Sequence, residues 1–212
     1  MDFTIYDKEL EQLHIKHQEY LKVADKRVIA VLNKMLRRAM SMNDCELIGY
    51  TYHSLAFAEH FVMGRYRLFL ENLALATRYL LQCENQAEMM HVYYLIAIDA
   101  TNKGLNDIAV HYFQEARSIA EITKQTTSVA ILDQSIGHIY MQLGRYKQAL
   151  SFIKKAMSGI IKDPTHPHYL SNLTANYMNH VIASLGVDGK VFLPPHGKQF
   201  FRPAVRTFFS AR

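Results

Sequence analysis

The chain has no tryptophan and only two cysteines, Cys45 and Cys83, among 212 residues. That excludes a disulfide-dense secreted scaffold. A bridge between the two is possible, but a chain of this length does not need one to build a core. Two scattered thiols fit a reducing cytosol better. Proline is also scarce. Of five, none precedes Pro164, so nothing in the first 163 residues forbids continuous helix on that account. No apolar run reaches the roughly 18 residues needed to cross a bilayer. The opening MDFTIYDKELEQ is acidic and amphipathic, unlike a secretory signal. The expectation is a cytoplasmic protein without a transmembrane segment. There is no GxSxG elbow, no P-loop and no glycine-rich phosphate cradle.

Strong charge of one sign is missing from the body of the chain. The formal net charge is +5, but residues 187–212 carry Lys190, Lys198, Arg202, Arg206 and Arg212 against Asp188 alone, which accounts for +4 of it. The other 186 residues are near neutral, so nucleic acid is an unlikely partner for the body. What is present is helical patterning. Residues 5–22 place Ile5, Leu10, Leu13, Tyr20 and Leu21 on one helical face. Residues 26–40 do the same with Val28, Val31, Leu32, Met35 and Leu36. Arg37 and Arg38 end that second helix, where cations oppose the negative end of its macrodipole.

From residue 50 onward a period of 40 appears. Gly64, Gly104 and Gly144 keep it, as do Ala76, Ala116 and Ala156, and Leu73, Phe113 and Ile153. Ala109 and Ala149 align too, with Phe69 at the corresponding place in the first unit. Each unit reads as an A helix (48–62, 87–102, 127–142) and a B helix (66–82, 106–124, 146–161), joined at a glycine suited to positive φ. The best-kept unit is 130–163, where Gly137, Ala149 and Ala156 are small and Tyr140, Leu150 and Ile153 are large. Pro164 and Pro167 close it. Residues 169–185 form another amphipathic helix, the first half of a unit whose second half is missing. The last 26 residues are basic, rich in phenylalanine and without helical period. A loosely docked terminus is the expectation there, with contact to an anionic membrane or nucleic acid as the alternative.

Small and large residues alternating at fixed offsets in a helix–turn–helix unit resemble tetratricopeptide repeats, whose period is about 34 residues or somewhat more. The resemblance covers residues 50–163 and departs from the family pattern at Phe57 and Phe69. It implies an all-α fold, a right-handed superhelix of antiparallel helix pairs. The organisation it gives is an N-terminal degenerate helix pair or cap (1–47), three units (48–86, 87–126, 127–165), an additional or capping helix (166–186) and an irregular tail (187–212). Units of this length resemble those of bacterial signalling proteins, namely the sensory arrays of GGDEF-type diguanylate cyclases and peptide-sensing regulators.

The resemblance implies a non-catalytic module that binds a protein or peptide in a concave groove lined by A helices. The alternative is a sensor domain that binds a small peptide and controls a separate output domain, a diguanylate cyclase or a DNA reader. Self-association is possible. The implied groove residues are Ser54, Phe61, His91, Tyr94, Ile98, Asn102, Gln134, His138, Met141 and Gln142. None is Lys or Arg, so the family's basic carboxylate clamp is not expected. The amides offer donors and acceptors to a peptide backbone, and the apolar side chains offer anchors.

Metal and acid/base readings are weaker. His14 and His17 share a helical face but read as an exposed pair, and His53 and His60 read as internal packing. His166 and His168 fall in a loop. Glu59 and Asp99 are equivalent positions of successive units, with no third group to make them a catalytic pair. No catalytic residue, metal or cofactor is expected.

Overall fold

The computed structural model of the chain describes residues 6–83, 86–162 and 169–189. Among these residues all regular structure is α-helical, in nine helices: α1 (Lys8–Lys22), α2 (Val28–Met42), α3 (Cys45–Phe61), α4 (Tyr66–Gln82), α5 (Gln86–Asn102), α6 (Asn106–Ile122), α7 (Thr126–Gln142), α8 (Tyr146–Ile161) and α9 (Tyr169–Val187). Ile5, His166, His168 and the tail from residue 190 lie outside the described residues. The chain divides into two compact units, residues 1–95 and 96–212.

In the first unit two aspartates start helices. Asp7 accepts from Leu10 N at 2.9 Å and Asp44 from Leu47 N at 2.9 Å, each satisfying a backbone donor that the first turn leaves open. α2 runs on to Met42 with no basic residue in its last turn, so Arg37 and Arg38 do not end it as expected. Instead Arg38 reaches back to Asp7 at 2.7 Å and Lys34 reaches Glu9 at 2.7 Å, lacing α1 to α2. Leu10, Leu13, Val28, Leu32, Met35, Leu47 and Leu55 form the core beneath, all but closed to water. Each such side chain contributes roughly 1.5–3 kcal/mol on leaving water. Cys45, at the start of α3, and Cys83, just past the end of α4, are disulfide-bonded with their Cα atoms 6.2 Å apart. The free thiols favoured from sequence are therefore corrected. An antiparallel hairpin brings the first residue of one helix beside the last of the next, which spacing along the chain does not reveal.

The second unit stacks α6, α7, α8 and α9 in sequence. Ala109, Ala116, Ala149 and Ala156 are wholly buried and let backbones approach. A β-carbon on Gly137 would stand 3.0 Å from Ile153 and 3.4 Å from the Ala149 carbonyl, so α7 and α8 meet there almost backbone to backbone. Met141, Ile153 and Ala183 close the core towards α9.

The turns repeat as the glycines predict. Gly64, Gly104 and Gly144 have φ of +68°, +75° and +68°. Leu105 N donates to Ala100 O at 2.9 Å and Arg145 N to Tyr140 O at 2.8 Å, the same closure in two consecutive hairpins. Ala24 and Lys124 take the left-handed conformation without being glycine, at φ +53° and +57°.

Candidate functional site

The ten implied groove residues fall into two sets. In the first unit, Ser54 on α3 is buried. Phe61 closes α3 half-buried, its ring 4.6 Å from Phe57 and 4.4 Å from His60. His91 is buried, stacked on His53 with centroids 5.4 Å apart. Tyr94 has no exposed surface, and burial raises its phenol above the ordinary range. Truncating Tyr94 therefore tests stability before it tests recognition.

In the second unit, Ile98 and Met141 are buried and Asn102 is exposed at the end of α5. Gln134 Oε1 accepts from Asn176 Nδ2 of α9 at 2.9 Å, so part of its amide capacity is spent inside the unit. Gln142 donates to His138 Nε2 at 3.1 Å. With that nitrogen an acceptor, the neutral ring carries its proton on Nδ1. Burial pushes the His138 pKa down to about 4, so the ring is neutral at pH 7. Of the ten, Asn102 is exposed, Phe61, His138 and Gln142 are half-buried, and the other six are buried. Apolar residues at groove positions leave water wherever a neighbouring helix offers cover.

Exposed apolar side chains of the second unit lie elsewhere, with Leu105, Ile108, Ile122 and Ile161 near helix ends and three together on α9. Tyr177, Met178 and Val181 on α9 are 51%, 54% and 55% exposed. They sit one turn or less apart, on one helical face. The opposite face carries Asn172, Asn176 and Ala183, all buried. The stripe lies on the last described helix, and among the described residues no further helix follows to cover it.

The histidines also assemble differently from expectation. His17 is wholly buried, which corrects the exposed-pair reading of His14 and His17. The Tyr50 hydroxyl lies 3.4 Å from His17 Nε2 and 3.4 Å from His14 Nδ1. Tyr50 meets His53 edge-on at 6.5 Å, and His53 stacks on His91. A buried row thus links α1, α3 and α5 within the first unit. Burial first, then the neighbouring His14 and His53, pushes the His17 pKa down to about 3, leaving it uncharged at pH 7. Among the described residues no three His, Cys, Asp or Glu side chains come together to hold a metal.

The carboxylates singled out from sequence each have a cation. Glu59 takes a two-point contact from Arg65 at 2.6 and 2.7 Å, and Asp99 pairs with Lys103 at 2.8 Å. Asp133 is buried and meets Arg117 at 2.6 Å. Its pKa is raised by burial against the opposing pull of Arg117.

No family model, no curated protein and no solved structure matches the chain. Among the described residues no helix is long and apolar enough to cross a membrane.

Proposed function

We propose that the chain is a non-catalytic, tetratricopeptide-like interaction module. It holds an amphipathic helix of a protein partner against the exposed face of α9 and the adjoining polar edge of α7. The observation that carries this reading is the Tyr177, Met178 and Val181 stripe, more than half open to water on a helix whose other face is packed. In the sequence period α9 is the A helix of a fourth unit. The complement such a helix takes is a second helix, as α8 complements α7. A partner helix with apolar residues at i, i+3 and i+4 would bury this surface, and His138 and Gln142 would offer hydrogen bonds at its rim.

The test is a displayed library of amphipathic helices selected on the folded chain, with the selected peptides titrated against Met178→Asp/Val181→Asp. Binding lost in the variant, with helix content and melting temperature kept, supports the reading. Peptides that bind variant and wild type alike place recognition somewhere else.

A further inference from the structure

A cleft of about 660 Å³ opens between α6, α7 and α8, wholly within the second unit, and Lys124, Lys154, Lys155 and Lys162 line it together with Glu121, Thr126 and Ser158. Its floor is apolar, with Ala120 and Val129. The volume is that of a small-molecule site and not of a docked helix.

The charges around it do not cancel. Glu121, the one acidic residue of the lining, is already paired with Arg117 at 2.9 Å. Lys155 stands over the Phe152 ring at 5.1 Å and also feels Asp133, so it is engaged on its own helix and towards α7. That leaves Lys124, Lys154 and Lys162. Lys154, Ser158 and Lys162 are spaced by four and run along one face of α8. The cleft also meets the first residue of α7, Thr126, and no side chain caps that helix N-terminus. Its backbone donors and dipole favour an anion. Gly159 makes the juxtaposition possible. A β-carbon there would lie 2.7 Å from the Ala130 β-carbon, so only glycine lets α8 bring Ser158 and Lys162 this close to the start of α7.

We propose that this cleft binds a small soluble ligand carrying adjacent phosphate groups, held by Lys124, Lys154 and Lys162 with Thr126, Ser158 and the α7 N-terminus. The donor set fits phosphate, which lysine binds as a point charge, and offers no arginine fork to a planar carboxylate. Carboxylates are best gripped by the two-pronged arginine fork, and the nearby guanidinium of Arg117 is taken by Asp133 and Glu121. Lysines are point charges with rotating donors, which suits tetrahedral oxygens in several orientations. No aromatic ring lines the cleft, so a nucleobase would find no stacking platform. This site is separate from the α9 face and does not depend on it.

The experiment is calorimetric titration of the full chain with sodium tripolyphosphate in low-salt buffer. The comparison is with Lys154→Gln/Lys162→Gln, and with Lys16→Gln/Lys22→Gln on α1, which removes the same charge elsewhere. Wild type and the α1 variant should bind alike, and the cleft variant should bind at least about tenfold more weakly, the size of one lost charge-assisted contact. Ser158→Asp, a single exposed change that puts a negative charge in the cleft, should weaken binding equally. No binding to wild type overturns the proposal. So does equal weakening in the cleft and α1 variants, which would reduce the effect to net charge. A hexaglutamate peptide that binds the cleft as tightly as tripolyphosphate would also overturn it, in favour of an acidic peptide. Sedimentation with vesicles of phosphatidylcholine and phosphatidylglycerol distinguishes the sources of phosphate. The chain should stay in the supernatant, and Lys154- and Lys162-dependent pelleting would contradict a soluble ligand.

Discussion

The α3–α4 and α7–α8 hairpins solve one packing problem in opposite ways. The 40-residue period with its doubled step sets Phe57 and Phe69 of the first against Gly137 and Ala149 of the second. Where α7 and α8 close to near backbone contact at Gly137, α3 and α4 fill the same region with rings. Phe69 is buried with its centroid 4.7 Å from His60. At the far end of each hairpin the two converge again. Gly49 of α3 faces Leu80, and Gly159 of α8 faces Ala130, so one glycine pinches each hairpin from opposite partners. The fold therefore asks for a given separation at the open end and tolerates two separations at the turn, provided the volume is filled.

Buried polarity differs as well. The first unit holds a row of histidines and Tyr50, together with the Cys45–Cys83 bridge. The second holds the buried Asp133 paired with Arg117 and the amide pair of Gln134 and Asn176. Each unit buries one carboxylate against an arginine, Glu59 with Arg65 and Asp133 with Arg117. The histidine row and disulfide belong to the first unit, the amide pair and close-packed small residues to the second.

The contrast sets an order of effects, each readable by chemical denaturation followed by circular dichroism. Phe69→Ala should cost the most, about 4 kcal/mol, because the ring-filled hairpin cannot collapse to the separation that Gly137 permits in the other. A loss below about 1 kcal/mol would mean the two packings interconvert freely. Arg117→Ala should cost about 3 kcal/mol by leaving Asp133 buried without its cation. Arg117→Lys should recover only part of that, since it lacks the fork. Reducing the Cys45–Cys83 bridge, or replacing both residues with serine, should cost about 2–3 kcal/mol. That loss should fall on the first unit alone, with hydrogen exchange of α7 and α8 unchanged.

Acid comes next. His17 in the folded chain has a pKa of about 3, below its ordinary 6.5. Above 6.5 both folded and unfolded chains are neutral there and nothing is lost. As pH falls below 6.5 the unfolded chain takes the proton and the folded one does not, so stability declines down to about 3. Between pH 7 and pH 5 this removes about 2 kcal/mol. His17→Gln should flatten that slope. His138 adds a similar loss in the second unit, between 6.5 and about 4. Arg67→Ala is the smallest change, since the Arg67–Glu71 pair is exposed and contributes at most about 0.5 kcal/mol.

Much of the helical layout was legible because its determinants are local. Apolar spacing and the three turn glycines give α3 to α8 within a few residues of their bounds, and Asp7 and Asp44 mark helix starts by their chemistry. The turns at Ala24 and Lys124 were not legible. A β-carbon disfavours the left-handed conformation, and only the flanking helices impose it. The histidine row joins residues 14, 17, 50, 53 and 91 from three helices, and no spacing rule on one helix brings them together. The groove positions were assigned by register alone. Register says which way a side chain leaves its helix, not whether the next helix covers it. Tyr94, Met141 and even the polar Ser54, His91 and Gln134 were covered, while Asn102 was not. The lysine cleft escaped because Lys124 lies about thirty residues from Lys154, the start of α7 completes the site, and each lysine reads singly as a solvated charge.

The account turns on whether α9 is a docking face. The direct measurement is the affinity of a selected amphipathic helix for the wild-type chain and for Met178→Asp/Val181→Asp, with both proteins shown to melt at the same temperature. The account predicts saturable binding to wild type and a loss of at least about tenfold in the variant, the cost of placing carboxylates where apolar contacts are buried. Equal affinity for the two proteins would contradict it.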